Sequence, residues 1–302
     1  MAILVVGSVA LDTITTARGT CPNQLGGSAT FFSLAARRWT DVRIVAAVGR
    51  DFPTRLLTIL RHPRVDLSGL AVLPGTTFRW EGRYSEDFSS RQTTGLSLGV
   101  FAAFKPTIPR ALRRSSSVFL ANIDPHLQDL VLSQVAQPRL IAVDTIDHWI
   151  RHEREALIRL LRKSDLVFLN EEEARLLTQH RSHRAMGAWL RALGPSIVII
   201  KQGWYGAVGW IGRAMVWVPA YPVDETRDPT GAGDSFAGGV LGVLDAARRI
   251  NEHVLRQAML YGSVIGSFCV EGIGVSALAR LTHPRFQTRL KNLKRISGIR
   301  LR

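Results

Sequence analysis

Short runs of consecutive apolar residues alternate along the chain with segments whose apolar residues recur at helical spacing. The apolar runs have the length of a strand and little polar character, which is typical of parallel strands covered on both faces. They lie at residues 3–7, 42–48, 117–121, 140–144, 165–169 and 196–200. Helical patterns lie between them at residues 26–36, 52–60, 126–135, 150–161, 171–177 and 185–193. This order predicts an α/β fold, a doubly wound and mostly parallel sheet flanked by helices.

Residues 72–100 interrupt this order. Apolar and polar residues alternate singly over 76–84, which indicates a half-exposed strand, and a Thr- and Ser-rich segment follows over 91–100. Trp80 and Tyr84 favour a covered face for the first of these strands. We therefore expect a small β-sheet inserted outside the main layer, with an ordinary surface hairpin as the alternative.

The remainder of the chain predicts a hairpin over 207–211 and 215–218, and a long helix over 252–270. No internal repeat, linker or low-complexity segment divides the sequence, so we expect a single domain over residues 1–302.

Composition limits the class of protein. Apolar residues make up 46% of the 302, enough for a sizeable core, and no apolar run reaches the ~18 residues of a membrane span. The first residues predict a strand rather than a signal peptide. Two cysteines and eight scattered histidines give neither a disulfide framework nor zinc spacing. We therefore expect a cytoplasmic protein with no membrane association.

The chain is strongly basic, with a formal net charge of +15, and only five of its 39 cationic residues are lysines. Nucleic-acid binding is one interpretation of this charge. A compositional preference for arginine on a solvated surface is the other, and we favour it because the charges are spread along the chain. The densest run, residues 285–302, predicts a basic terminal helix.

The most informative stretch is Asp-Pro-Thr-Gly-Ala-Gly-Asp-Ser-Phe-Ala-Gly-Gly at residues 228–239. Turn-forming residues lead into an apolar run, which predicts a loop that opens a helix. Its glycines allow successive backbone amides to point at one spot, and the helix N-terminus adds about half a positive charge there, so an anion fits. Asp234 in the first helical turn lies where it could accept a proton. Neither a Walker A loop nor the dinucleotide fingerprint matches, since no Gly-Lys pair occurs and Phe236 replaces the third glycine.

This stretch resembles the C-terminal signature of the PfkB, or ribokinase-like, family of sugar and nucleoside kinases. The resemblance implies a ribokinase-like fold and an ATP-dependent kinase in which Asp234 receives the hydroxyl proton. It further implies that the amides of Gly231, Ala232 and Gly233 hold the transferring phosphate. The cofactor-binding residues implied by the resemblance are Lys201, Gly203, Gly206, Asp228 and Thr230.

The Gly203–Gly206 element follows a parallel strand, and the ends of such strands face the crevice in which α/β sheets bind ligands. A plain β-turn is the alternative. Asn170 and Glu173 also follow a strand, and the resemblance implies that they help to hold Mg²⁺ through water. Their spacing is equally typical of an N-terminal capping box, and both interpretations can hold together.

Asp12 and the pair Gly26-Gly27 resemble the family's N-terminal signature, which implies that they hold the acceptor. A carboxylate can accept hydrogen bonds from two vicinal hydroxyls. Phe31 stands where many members have Asn, so it belongs to the core or stacks on a ring of the substrate. Asn122 and Asp124, at the end of a strand, contact the acceptor or cap the turn before Pro125.

These features together predict a kinase that moves the γ-phosphate of ATP to a primary hydroxyl of a sugar or sugar derivative. The alternative is a nucleoside kinase; a catalytically silent binding protein and a nucleic-acid-binding protein are further alternatives. The resemblance also implies a lid made by about residues 12–25 and 72–100, a homodimer formed through that lid, and a monovalent cation such as K⁺ near residues 270–274.

Overall fold

The computed structural model describes residues 1–299, which form two β-sheets and the helices that cover them. The strands are β1 Ala2–Val6, β2 Ala10–Thr16, β3 Gly19–Gly26, β4 Asp41–Gly49, β5 Val65–Leu73, β6 Arg79–Tyr84, β7 Arg91–Ser97, β8 Ser117–Leu120, β9 Leu140–Asp144, β10 Leu166–Asn170, β11 Ile197–Lys201, β12 Ala207–Ile211 and β13 Ala214–Val218. The helices are α1 Ser28–Ala36, α2 Thr54–Leu60, α3 Pro125–Leu132, α4 Asp147–His152, α5 Arg154–Leu161, α6 Glu171–Thr178, α7 His183–Leu193, α8 Ala232–Ala246, α9 Glu252–Val270, α10 Ser276–Ala279 and α11 His283–Ser297.

The large sheet has nine strands in the order β13-β12-β11-β10-β9-β8-β1-β4-β5. Its strands are parallel except for the antiparallel hairpin β12–β13 at one edge. Alternate residues of β1 belong to different cores. Ile3 belongs to the core that includes side chains of α1, α8 and α9, and Leu4 to the core that includes side chains of α5, α6 and α7. Helices therefore cover both faces, and the predicted doubly wound α/β fold is confirmed.

The small sheet has the strand order β3-β2-β6-β7. Strand β2 pairs antiparallel with β3 and parallel with β6, so the sheet is mixed. Only three residues separate β2 from β1, which places the small sheet directly beyond the carboxyl edge of the large one. This is the edge at which doubly wound sheets bind ligands.

Two sequence-based expectations about the elements were wrong. The sequence analysis assigned no strand between residues 48 and 72, yet β5 covers Val65–Leu73 and forms an edge of the large sheet. As an edge strand it is only partly covered, and it lacks the continuous apolar run of a buried strand. The single helix expected over 150–161 is interrupted at Glu153, whose non-helical backbone separates α4 from α5.

Glycines let α8 lie unusually close to its neighbours. A Cβ on Gly239 would lie 2.8 Å from the Cα of Gly262 in α9, and a Cβ on Gly238 would lie 2.7 Å from the Cβ of Ala35 in α1. Protein interiors have no room for such atoms without displacement. These contacts fix the helix whose N-terminus carries Asp234.

None of the described helices is both long enough and apolar enough to span a membrane.

Candidate active site

Gly231 shapes the loop that precedes α8. It is the N-cap residue and has a left-handed backbone (φ 73°), and a Cβ at this position would overlap the ring of Phe31. Phe31 is 1% exposed, so it packs beneath the loop as core and does not face a ligand. Only glycine satisfies both the backbone angle and the contact.

Two backbone amides at this helix N-terminus are free to bind an anion. Within residues 1–299, the amides of Gly231 and Gly233 have no hydrogen-bond acceptor. The Ala232 amide, expected to bind phosphate with them, donates to the Pro229 carbonyl at 3.2 Å because the loop turns tightly there. The two free amides and the helix dipole suit a bound anion, and this place at the start of α8 is called the anion site below.

Asp234 is half-buried in the first turn of α8 beside this site. Burial and the nearby Asp144 carboxylate raise its pKa to about 7, although Lys201 and Arg91 act in the opposite direction. A helix N-terminus favours the ionised form of a carboxylate, but desolvation outweighs that effect here. A pKa close to neutrality suits a residue that accepts and releases a proton.

Lys201 ends β11 and places its ammonium group beside Gly233. Its Nζ lies 3.0 and 3.3 Å from the two oxygens of Asp144, and a Cβ on Gly233 would lie 3.2 Å from it. Burial alone would lower the pKa of Lys201, but the carboxylates of Asp144 and Glu173 raise it above its ordinary value. The ammonium therefore stays charged next to the free amides.

Asp144 was missed by the sequence reasoning. It is the last residue of β9, and it is 5% exposed and paired with Lys201. The available signal was a carboxylate at the carboxyl end of a central parallel strand, where side chains face the ligand crevice.

Asn170 and Glu173 form the predicted capping box at the start of α6. The Glu173 amide donates to Asn170 Oδ1 at 2.8 Å, and the Asn170 amide donates to Glu173 Oε2 at 2.7 Å. Burial raises the pKa of Glu173 to about 7, with Asp144 acting in the same direction and Lys201 against it. Among residues 1–299, no group of three or more His, Cys, Asp or Glu side chains could hold a metal ion alone.

This environment fits a water-mediated Mg²⁺ rather than a dedicated metal cage. No donor within residues 1–299 bonds to Glu173 Oε1, whereas Oε2 accepts from the Asn170 amide. A nearby cation would favour the charged form of a buried carboxylate. Mg²⁺ is usually held by one or two carboxylates together with waters and substrate phosphates.

Asp228 has a structural part in the loop. One of its carboxylate oxygens accepts from the Thr230 amide at 2.9 Å and the other from the Gly274 amide at 2.7 Å. Both oxygens are therefore used within the protein, which leaves little for the cofactor contact expected of Asp228. The Thr230 hydroxyl is 2.8 Å from the hydroxyl of Tyr84, so the small sheet is tied to the loop.

Asp12 and the Gly26-Gly27 pair lie together at the base of the small sheet. Asp12 is 4% exposed, and a Cβ on Gly26 would overlap its carboxylate. Gly27 has φ 93° and is the N-cap of α1. Burial and the nearby Asp228 raise the pKa of Asp12 to about 8, and the charge of Asp234 acts in the same direction. The N-terminal motif with Asp12 and the C-terminal motif with Asp228 and Asp234 thus bring their carboxylates close to one another.

Asn122 and Asp124 serve local structure. Asp124 caps α3 by accepting from the His126 amide at 2.8 Å, and Asn122 accepts from the indole N–H of Trp149 at 2.9 Å. Of the two interpretations of Asp124, the structure shows the cap.

A cavity of about 280 Å³ opens beside Gly233 and Lys201. Gly203 and Gly206, both with positive φ, line it as expected from the sequence. Its remaining wall is largely apolar and is formed by residues that follow β13 and by one face of α9. Phe88, at the tip of the β6–β7 hairpin, also reaches it. The anion site thus lies between this cavity and Asp12.

Comparison with known proteins agrees with this geometry. Residues 126–280 match the model of the pfkB family of carbohydrate kinases. The chain is 29% identical over 258 residues to the cytidine kinase of Thermococcus kodakarensis, an alignment that covers 83% of this chain and 91% of the relative.

Two solved structures are similar in fold. The nucleoside kinase of Burkholderia thailandensis, in complex with inosine, superimposes with a TM-score of 0.80 at 18% identity and 99% coverage of both chains. A putative ribokinase II of E. coli, in complex with ATP and Mg²⁺, gives 0.79 at 20% identity, with 96% of this chain and 99% of the other covered.

Proposed function

The chain belongs to the pfkB family of carbohydrate kinases, and from that premise we propose that it is a nucleoside kinase that transfers the γ-phosphate of ATP to the primary hydroxyl of a nucleoside. The observation that carries the proposal is the position of Asp234. This half-buried carboxylate, with a pKa of about 7, lies beside the free amides of Gly231 and Gly233.

Each group has a part in this reaction. The acceptor hydroxyl donates its hydrogen bond to Asp234, which orients it and receives its proton as the bond to phosphorus forms. The free amides and the Lys201 ammonium stabilise the charge on the transferring phosphate, because they are fixed in place before the reaction begins. ATP occupies the cavity, with its phosphates toward Gly233.

Mg²⁺ would be held by Glu173 through water, with Asn170 fixing the position of that carboxylate. Bound there, the ion would neutralise phosphate charge. The E. coli structure with ATP and Mg²⁺ supports this part of the proposal through its fold.

The choice of acceptor departs from the first expectation. The sequence favoured a sugar, and the family description supports sugars only at the level of the family. The cytidine kinase, which aligns with most of this chain, favours the nucleoside alternative instead. Asp12 suits a nucleoside acceptor, since a carboxylate beside the reacting group can accept hydrogen bonds from the vicinal hydroxyls of a ribose.

The small sheet is proposed as a lid over this acceptor. Tyr84 connects it to Thr230 of the loop, and β2 contributes Asp12 itself. On this proposal residues 1–302 form one kinase domain, and the lid consists of residues 10–26 and 79–97, close to the bounds expected from the sequence.

A coupled measurement of ADP release tests the proposal. With ATP and Mg²⁺, we expect turnover with cytidine, adenosine or inosine, and little with ribose or fructose. Turnover with free sugars alone would assign the chain to the sugar kinases. A protein that binds ATP but transfers phosphate to no acceptor of either class would support the catalytically silent alternative.

A further inference from the structure

One wall of the cavity rests on an arginine of the last helix. Arg289 of α11 is a largely covered side chain, 15% exposed. Its guanidinium carbon lies 3.7 Å from the ring centre of Phe268 and 4.7 Å from that of Tyr221. A planar cation stacked over two rings fixes the orientation of both.

Hydrogen bonds hold the same guanidinium in place. Nη2 donates to both carboxylate oxygens of Glu271, at 2.9 and 3.0 Å, and Nη1 donates to Ser267 Oγ at 3.1 Å. Tyr221 and Ser267 both line the cavity. Arg289 itself does not line it, so any effect of Arg289 on a ligand acts through these two residues.

The polarity of the cavity indicates which part of the donor faces this wall. Lys201 and the free amide of Gly233 mark the end that takes phosphates. Away from that end the lining is largely apolar and includes Ala220, Val223 and Val270 as well as Tyr221. An apolar, aromatic surface suits the flat face of a nucleobase.

We propose that Arg289 is a positioning residue for the donor nucleotide, which holds Tyr221 and Ser267 in the orientation that receives the nucleobase. The proposal rests on the proposed function for the identity of the donor as ATP. It concerns binding of the base only, and it assigns Arg289 no contact with phosphate or acceptor.

Binding of ADP, measured by calorimetry without any acceptor, tests this. Arg289→Ala should weaken ADP binding by about tenfold, the size of a lost stacking contact. Arg289→Lys should weaken it less, because it keeps the charge toward Glu271 but loses the planar fork. Arg285→Ala is the matched control, since Arg285 lies on the same helix and stacks on Phe268 at 5.4 Å without a hydrogen bond to the cavity wall. It should bind ADP like the parent protein.

Inorganic tripolyphosphate, which lacks a base, separates positioning from general loosening. The inhibition constant of tripolyphosphate against ATP should be unchanged in Arg289→Ala, while the KM for ATP rises and kcat at saturating ATP stays within about twofold. Unchanged ADP binding, or an equal loss of tripolyphosphate binding, would overturn the proposal. If Arg289→Ala does not fold, the same two measurements on Arg289→Lys decide. If the parent protein binds ATP but phosphorylates no nucleoside, only the proposed acceptor fails; if it binds no ATP, both proposals fail.

Discussion

The largely buried ion pair formed by Lys201 and Asp144 sets the charge around Asp234. We predict that neutralising either partner lowers stability, and that the two variants shift the pH dependence of activity in opposite directions. At the 3.0 Å separation of the pair, Coulomb attraction is about 5 kcal/mol with an effective dielectric constant of about 20. Breaking a buried pair by removing one partner costs about 3–5 kcal/mol. That is a large part of the ~5–15 kcal/mol by which folded domains are stable.

Asp144→Asn and Lys201→Met should therefore each lower the free energy of unfolding by about 3 kcal/mol. The double variant should lose less than the sum of the two, because it leaves neither member of this pair without its partner. Urea denaturation of the four proteins gives this coupling energy directly.

The pH dependence of kcat/KM should shift in opposite directions in the two single variants. A base works in its deprotonated form, so activity should rise as pH increases through the pKa of Asp234, about 7. Asp144 raises that pKa and Lys201 lowers it. The acidic limb should therefore move to lower pH in Asp144→Asn and to higher pH in Lys201→Met. A limb that moves in neither variant, or in the same direction in both, would refute the assignment of the limb to Asp234.

Three further predictions concern the remaining carboxylates and the lid. Glu173→Gln should raise the Mg²⁺ concentration needed for half-maximal turnover. It should cost only about 1 kcal/mol of stability, because Gln keeps the oxygen that accepts the capping hydrogen bond. A lower melting temperature with an unchanged Mg²⁺ dependence would show that Glu173 is a cap without a part in Mg²⁺ binding. Asp12 has a folded-state pKa raised from 3.8 to about 8, so the folded state keeps its proton longer and stability falls as pH rises between these values. Asp12→Asn should therefore melt at a higher temperature than the parent protein above about pH 8, and the two should melt alike below about pH 4. Its KM for the nucleoside should rise. The opposite pH trend in melting temperature would contradict the claim that burial raises the pKa of Asp12. Tyr84→Phe removes the hydroxyl that is hydrogen-bonded to Thr230. It should raise the KM for the acceptor by about threefold to tenfold, which corresponds to the net free energy of one hydrogen bond, and leave ATP binding unchanged. An unaltered acceptor KM would show that the small sheet is not a lid over the acceptor.

The layered fold could be predicted because buried parallel strands leave a clear trace. Strands such as β8 and β10 are covered on both faces and read as continuous apolar runs. Strand β5 has no such run, since it lies at the edge of the sheet and is only partly covered. The break at Glu153 was also missed, because helical spacing continues across the join of α4 and α5.

The glycine loop that opens α8 could be predicted for a related reason. The positive φ at Gly231 and its contact with Phe31 tolerate only glycine. A backbone conformation that only one residue type can adopt is therefore recognisable in the sequence. The charge state of Asp234 could not be predicted in this way. It depends on burial and on Asp144, which is ninety residues away in the chain and adjacent only in the folded protein.

The cofactor role expected of Asp228 shows the same limit. The sequence motif places Asp228 in the loop, but it does not reveal which groups the carboxylate contacts. Both oxygens bind backbone amides, one of them at Gly274, far along the chain. A motif therefore identified the loop, and only the fold separated its structural residues from those that face the cavity.

Transfer of phosphate from γ-labelled ATP to a nucleoside by the parent protein and by Asp234→Asn tests the central claim most directly. Asn has nearly the shape of Asp but cannot take the proton, so the variant should fold and bind ATP while turnover falls by about 10²–10⁴-fold, the usual contribution of a positioned base. Labelled nucleoside monophosphate should appear with the parent protein. Near-normal turnover in a correctly folded Asp234→Asn protein would contradict the assignment of Asp234 as the base and the mechanism built on it.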